Sequence, residues 1–91
     1  MSECLKIEGR LDAVTVSQWE APVLALSDES DVCLDLTAVE YISSAGLRLV
    51  LRLAKRLHER EQSLKLTGVQ PAVHHVLEMS GFLAFLTVET A

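Results

Sequence analysis

Short segments with a two-residue apolar repeat alternate with longer segments of helical periodicity along this chain, and that order restricts the possible folds. The strand-like segments are LKIEGRL, DVCLDL, SLKLTG and FLTVET, and the helical segments are VTVSQWEAPVLALSD, SAGLRLVLRLAKRLHERE and PAVHHVLEMSG. A β-α-β-α-β-α-β succession with right-handed crossovers builds a mainly parallel sheet. We therefore predict a single α/β domain over residues 1–91 with a four-stranded, mainly parallel sheet.

The predicted strands have one polar face. In the first strand Leu5 and Ile7 alternate with Lys6 and Glu8, and the second and third strands show the same alternation. Parallel strands that are covered by helices on both faces are apolar on both faces. We therefore expect the helices to pack mostly on one face of the sheet.

Helix signals accompany the first and third helical segments. Thr15 and Gln18 have the spacing of a capping box, but Pro22 lies inside the same segment and predicts a late start, a kink or a first turn that is not α-helical. Pro71 stands near the first position of the third helix and Gly81 at its stop.

The second helical segment is strongly amphipathic. Its predicted core stripe consists of Leu47, Val50, Leu51, Ala54, Leu57 and His58. Its predicted solvent face contains Arg48, Arg52, Lys55, Arg56 and Glu59. Leu49 and Leu53 lie on the flank between the two faces, where they are either covered by a neighbouring helix or exposed as an apolar contact.

Two adjacent serines stand at the junction between the second strand and this helix, in the sequence EYISSAGLRL. The first N–H groups of a helix lack intrahelical partners and form its positive end. On the helical projection Ser43 points towards the core and Ser44 lies beside the solvent face. Ser43 therefore suits a structural cap. Ser44 is either a second capping residue or a hydroxyl that a partner reaches, as a nucleophile or a phosphate acceptor.

Composition and charge exclude several classes of function. The formal net charge is −5 and 49% of the residues are hydrophobic, which favours a packed core and argues against binding to nucleic acid or to an anionic membrane surface. No apolar run approaches the roughly 18 residues of a membrane span. Cys4 and Cys33 are the only cysteines and the charged N-terminus does not resemble a signal peptide, so we expect a cytoplasmic protein.

Catalytic and metal-binding patterns are weak. The tandem His74 and His75 point about 100° apart on a helix and have no further ligand at a suitable spacing. The Gly-x-Ser-x-Gly elbow of serine hydrolases does not occur around Ser44. We therefore expect no enzymatic activity, no metal and no cofactor.

Three stretches resemble the STAS domain of bacterial anti-sigma-factor antagonists: EGRLDAVT, VCLDLTAVEYISSAGLRLVL and LKLTGVQPAVHHVLEMSGF. In that family an Asp-Ser-Ser/Thr-Gly turn opens the helix, and the serine after the Asp is phosphorylated. Aligned on Gly46, Ser44 takes the place of the acceptor. Ser43 stands where the family has Asp, and Ala45 stands where it has Ser or Thr.

The resemblance implies a partner switch. The unmodified domain docks on an anti-sigma factor that is also a serine kinase with a histidine-kinase-like ATPase fold, the kinase phosphorylates Ser44, and a phosphatase resets the domain. The implied partner-binding set consists of Asp12, Ser43, Ser44, Ala45, Gly46, Leu47, Arg48, Leu49 and Leu53.

A second function stays open. Some small bacterial STAS domains are non-enzymatic accessory subunits of a lipid-transporting ABC complex and bind its ATPase without phosphorylation. The missing acidic residue at Ser43 favours that alternative, whereas Ser44 and Gly46 favour the anti-sigma-factor antagonist.

Overall fold

The elements follow one another in the predicted order in the computed structural model, which describes residues 2–26, 31–81 and 86–90. They are β1 (Ser2–Leu11), α1 (Val16–Leu24), β2 (Asp31–Ile42), α2 (Ser44–Glu59), β3 (Leu64–Val69), α3 (Pro71–Ser80) and β4 (Thr87–Thr90). The predicted helix end at Asp28, the predicted strand start at Phe85 and the domain limits at Met1 and Ala91 lie outside the described residues.

The four strands form one sheet in the order β1-β2-β3-β4, and every neighbouring pair is parallel. Each crossover therefore advances in the same direction across the sheet. Right-handed crossovers in one direction place their helices on the same face. The prediction of a four-stranded parallel sheet with helices mostly on one face is confirmed.

The core lies between this face and the helices. In β2 the side chains of Val32, Leu34 and Leu36 are at most 1% exposed, whereas Cys33 and Asp35 point to the other face and are half-buried. The buried hydrophobic residues from all three helices and from β1, β2 and β3 belong to one cluster. Within the described ranges, no polar or charged side chain is buried.

β2 is longer than the sequence predicts because its alternation breaks after Leu36. Lys6 and Glu8 pair with Asp35 and Ala38, so β2 has one extra residue at this shift, and a second shift follows between Gly9 and Arg10. Such bulges bend a strand and change which side chains face the core. β2 therefore continues as far as Ile42.

The core stripe of α2 is rotated from the predicted position. Leu49 and Leu53 are 2% and 1% exposed, whereas Leu51 is half-buried and His58 is exposed. The prediction that Leu51 and His58 belong to the core stripe is wrong. The physical reason is helix α1, which lies along the Leu49 flank of α2 and replaces solvent there.

Helices α1 and α3 differ in how well their ends were predicted. α3 begins at Pro71 and is followed by Gly81 in the left-handed conformation, with φ of 77°, as predicted. α1 begins at Val16 and contains Pro22, and the Thr15 side chain makes no capping hydrogen bond to it. The predicted capping box is therefore wrong.

Candidate functional site

The C-terminal ends of β1 and β2 lie side by side, and helices α1 and α2 both start near them. Leu11 pairs with Ile42 at the last position of the two strands. The backbone N–H of Ser43 then donates to the carbonyl oxygen of Leu11 at 3.0 Å. The serine pair is thus fixed at the carboxyl edge of the sheet, where parallel α/β proteins place their binding sites.

Ser43 caps helix α2. Its backbone is extended, with φ of −98° and ψ of 178°, and its Oγ accepts a hydrogen bond from the N–H of Gly46 at 3.4 Å. Its carbonyl accepts the first helical hydrogen bond, from the N–H of Leu47 at 2.9 Å. Ser and Asp are both favoured at this position, so Ser43 can perform the capping role without a carboxylate.

Gly46 allows α2 to begin against the end of the sheet. A Cβ atom at this position would lie 2.4 Å from the carbonyl oxygen of Leu11 and 2.9 Å from side-chain carbons of Leu11 and Ile42. These distances are shorter than van der Waals contact, so a side chain here would push the helix away. Gly46 is buried and therefore positions Ser44 instead of contacting a partner.

Ser44 is the first residue of α2 and its side chain is exposed. No acidic residue occupies the first turn of this helix, so the positive end of the helix dipole is not offset by a carboxylate there. Arg48 lies one turn later, is exposed, and directs its Nε towards the carbonyl oxygen of Ser44 at 3.5 Å. An accessible hydroxyl thus lies at the N-terminus of a helix with a guanidinium one turn away, an arrangement suited to an oxyanion.

Asp12 lies at the same edge but is engaged by its own chain. Its Oδ1 accepts from the N–H groups of Val14 and Thr15, both at 3.0 Å, and its Oδ2 accepts from Arg10 Nε at 3.1 Å. The N–H of Thr15 and then the Arg10 guanidinium hold the pKa of Asp12 below its ordinary value of 3.8. Asp12 therefore closes the turn before α1, together with Thr15, whose Oγ1 accepts from the N–H of Asp12 at 3.0 Å.

Two exposed apolar residues near this edge were not predicted. Val14 is 82% and Tyr41 42% exposed. The Arg10 guanidinium lies 4.6 Å from the centre of the Tyr41 ring. The shift between Gly9 and Arg10 turns Tyr41 outwards, and nothing in the alternation of the sequence signals it. We call Val14, Tyr41, Ser44 and Arg48 the strand-end surface.

A groove of about 280 Å³ separates α1 from α2 beside Ser44. It is lined by Val16, Glu20, Ala45, Arg48, Leu49 and Arg52. The ion pair between Arg52 and Glu20, at 3.0 Å, crosses it.

The burial of Leu49 and Leu53 corrects part of the predicted partner-binding set. Their side chains pack into the core beneath α1 and do not form an exposed apolar contact. Leu47 is also buried, with 8% of its side chain exposed. The exposed members of the set are Ser44 and Arg48, and the half-buried ones are Asp12, Ser43 and Ala45.

Other chemistry finds little support in the described part of the chain. No group of three or more His, Cys, Asp or Glu side chains is placed to hold a metal ion in residues 2–26, 31–81 and 86–90. His74 faces Glu78 at 3.8 Å, one turn along α3, and His75 is exposed. None of the described helices is long and apolar enough to cross a membrane.

Residues 2–87 match a family model described as Mlab, STAS domain. The chain belongs to the STAS-domain family. It is 40% identical over 84 residues to BtrV of Bordetella bronchiseptica, a protein named as an anti-sigma factor antagonist. The match covers 90% of this chain and 72% of that relative.

Solved structures share the fold. An anti-sigma factor antagonist from Thermotoga maritima superposes with a TM-score of 0.83 at 18% identity, over 97% of this chain and 78% of that one. A sulfate transporter family protein from Wolinella succinogenes superposes with a TM-score of 0.80 at 18% identity, over 97% and 75%. The same fold therefore occurs in proteins described as an anti-sigma factor antagonist and as a member of the sulfate transporter family.

Proposed function

We propose that this chain is an anti-sigma-factor antagonist that works by partner switching. In its unmodified form it docks through the strand-end surface on an anti-sigma factor, a serine kinase with a histidine-kinase-like ATPase fold. The observation that carries the proposal is the exposed hydroxyl of Ser44 at the uncompensated positive end of α2. The 40% identity to BtrV, a relative named as an anti-sigma factor antagonist, supports it.

The switch is the transfer of a phosphoryl group to Ser44. The Ser44 Oγ attacks the γ-phosphorus of ATP, the bond to the β-phosphate oxygen breaks, the hydroxyl proton leaves, and ADP departs. Phosphoserine adds a charge of about −1.5 to −2. The N-terminus of α2 tolerates that charge, with a gain of roughly 0.3–1 kcal/mol, and Arg48 is one turn away. A partner surface shaped for a neutral hydroxyl does not tolerate it, so docking ends while the fold persists. A phosphatase then restores the hydroxyl.

Phosphorylation and capture test this proposal together. The chain is offered, with labelled ATP, to the histidine-kinase-like ATPase that it retains from a lysate of the organism encoding it. We expect label on the wild type and none on Ser44→Ala. We also expect Ser44→Asp to keep the melting temperature and lose the kinase. Label that persists on Ser44→Ala would contradict the assignment of the acceptor.

Ser17 offers a matched control. It is an exposed serine in the first turn of α1. Ser17→Ala should still be labelled, and Ser17→Asp should still retain the kinase. If Ser17→Asp loses the kinase as Ser44→Asp does, the effect belongs to added negative charge in general and the switch at Ser44 is refuted.

A second candidate is a non-enzymatic accessory subunit of a lipid-transporting ABC complex. It is favoured by Ser43, which stands where the antagonists have Asp and which here only caps the helix. In that case docking does not depend on the charge of Ser44. Capture of a transport ATPase equally by wild type and by Ser44→Asp would support this candidate and contradict the first.

A further inference from the structure

The cysteines that are separated in the sequence lie next to each other on the polar face of the sheet. Cys4 of β1 pairs directly with Cys33 of β2 in the parallel register. Both side chains point away from the core, and Cys4 is exposed whereas Cys33 is half-buried. Cys33 Sγ also lies 3.7 Å from Thr67 Oγ1, on the neighbouring strand β3.

The backbone geometry suits a covalent link. Neighbouring strands are about 4.7–4.9 Å apart, and disulfides span Cα separations of about 4.4–6.8 Å when the Cβ atoms point the same way. Directly paired residues on one face of a sheet meet the Cα condition, and a small approach of the two strands brings their Cβ atoms within the roughly 3.5–4.5 Å that a disulfide spans. We propose that Cys4 and Cys33 form a reversible cross-strand disulfide, a thiol-oxidation site that takes low-molecular-weight disulfides such as oxidised glutathione.

The reaction proceeds by two exchanges. The exposed Cys4, as its thiolate, attacks one sulfur of oxidised glutathione, the glutathione S–S bond breaks, and one reduced glutathione leaves. Cys33 then attacks the Cys4 sulfur, the mixed disulfide breaks, and the second reduced glutathione leaves. The protein loses two hydrogens and one glutathione disulfide becomes two thiols, so the exchange balances.

The surroundings keep the reduced pair stable at neutral pH. The adjacent Cys33 thiol and partial burial raise the pKa of Cys4 above its ordinary value of 9.0. The charged groups on the same face around the pair are Lys65, which is the register partner of Cys33, Lys6 with Asp35 two positions further along the strands, and Asp31 two positions before Cys33. Cys4 is therefore mainly a protonated thiol at neutral pH, so only a small thiolate fraction attacks the disulfide and exchange is slow.

The site is separate from the strand-end surface. Cys33 lies near the start of β2 and Ser43 follows its end ten residues later, which at about 3.3 Å per residue is an extended span of roughly 33 Å. A bond between Cys4 and Cys33 ties the edge strand β1 to β2 without touching Ser44. The inference therefore stands independently of the proposed function.

The test uses the folded full chain in buffers of reduced and oxidised glutathione, with alkylation of the remaining thiols and intact mass analysis. In oxidising buffer we expect the wild type to lose two hydrogens, to stay monomeric, and to yield a Cys4–Cys33 linked peptide on digestion. We expect its melting temperature to rise by about 10 °C over the reduced form.

Two single variants sharpen the result. Cys33→Ser should accumulate glutathione on Cys4, Cys4→Ser should keep a free thiol, and neither should show the rise in melting temperature. Stable glutathionylation of the wild type at Cys4, a disulfide-linked dimer, or two thiols that survive in oxidising buffer would each overturn the proposal.

Discussion

At Gly46 the first turn of α2 touches the end of β1. Because an added Cβ would lie 2.4 Å from the Leu11 carbonyl oxygen, we expect Gly46→Ala to lower the free energy of unfolding by about 1–3 kcal/mol, as measured by urea denaturation. The exposed neighbour Ser44 is the control, and Ser44→Ala should stay within about 0.5 kcal/mol of wild type. Equal stability of Gly46→Ala and wild type would contradict this prediction. It would mean that the first turn of α2 shifts to accommodate the added Cβ with no loss of folding free energy.

The hydrogen bonds of Asp12 predict a pH dependence. Its folded pKa lies below the ordinary 3.8, so its charged form contributes stability that is present above that value and is lost as the pH falls through the folded pKa. We expect wild type to be more stable than Asp12→Asn at neutral pH, with a gap that closes in acid, as measured by thermal melts across the acid range. Exposed Glu40→Gln is the comparison. A gap for Asp12→Asn that is constant with pH would show that the charge contributes nothing.

For single residues, the sequence predicted the positions of Ser43 and Ser44 correctly. It did not predict the turn that Asp12 closes or the exposure of Tyr41. The helical projection separates a capping hydroxyl from an exposed one because both belong to one regular element. Asp12 and Tyr41 depend on a turn and on a register shift. These are set by contacts with other segments, and no local periodicity encodes them.

Among the elements, α2 offers a comparison between two leucines on one helix. Leu53 is 1% exposed beneath α1, whereas Leu51 is half-buried. We expect Leu53→Ala to lower the free energy of unfolding by about 2–5 kcal/mol and Leu51→Ala to lower it less, as measured by urea denaturation. The sequence-based stripe predicts the reverse order, so a larger loss for Leu51→Ala would restore that stripe and refute the observed packing.

The helices show which elements can be predicted from local patterns. α3 was predicted at both ends because Pro71 and Gly81 act through the backbone itself. The predicted core stripe of α2 was rotated from the observed one. Periodicity shows which residues are apolar, but it does not show which neighbouring element covers them. Only the position of α1 decides whether Leu49 or Leu51 is buried, and that position is a property of the packed helix pair.

On the scale of the whole molecule, the proposed docking depends on a surface to which β2, α2 and the segment between β1 and α1 contribute. Val14 is 82% exposed on the strand-end surface, and Met79 is 75% exposed on α3. If the proposed function holds, Val14→Asp should weaken binding of the anti-sigma kinase at least about tenfold, because an interface core is depleted in charge. Met79→Asp should leave it unchanged, and calorimetry measures both.

The Val14→Asp and Met79→Asp variants should both retain the melting temperature of wild type, because the side chains of Val14 and Met79 are exposed and not packed. Equal weakening by the two variants would assign the effect to net charge and would remove Val14 from the docking surface.

The fold class and the number of strands could be predicted because each helix and strand has its own hydrophobic periodicity in the sequence. The pairing of Cys4 with Cys33 could not be predicted. The two cysteines are 29 positions apart in the sequence, and their pairing depends on the register between β1 and β2.

The order of strands across the sheet is the same as their order along the chain. During synthesis, each new strand therefore finds its partner already made at the growing edge. Once β2 has emerged from the ribosome, β1 has its neighbour in the described sheet, and β3 and β4 add to the far side in succession. Folding can thus keep pace with translation. None of the described strands beyond β1 has to stay unpaired until a distant segment of the chain has been synthesised.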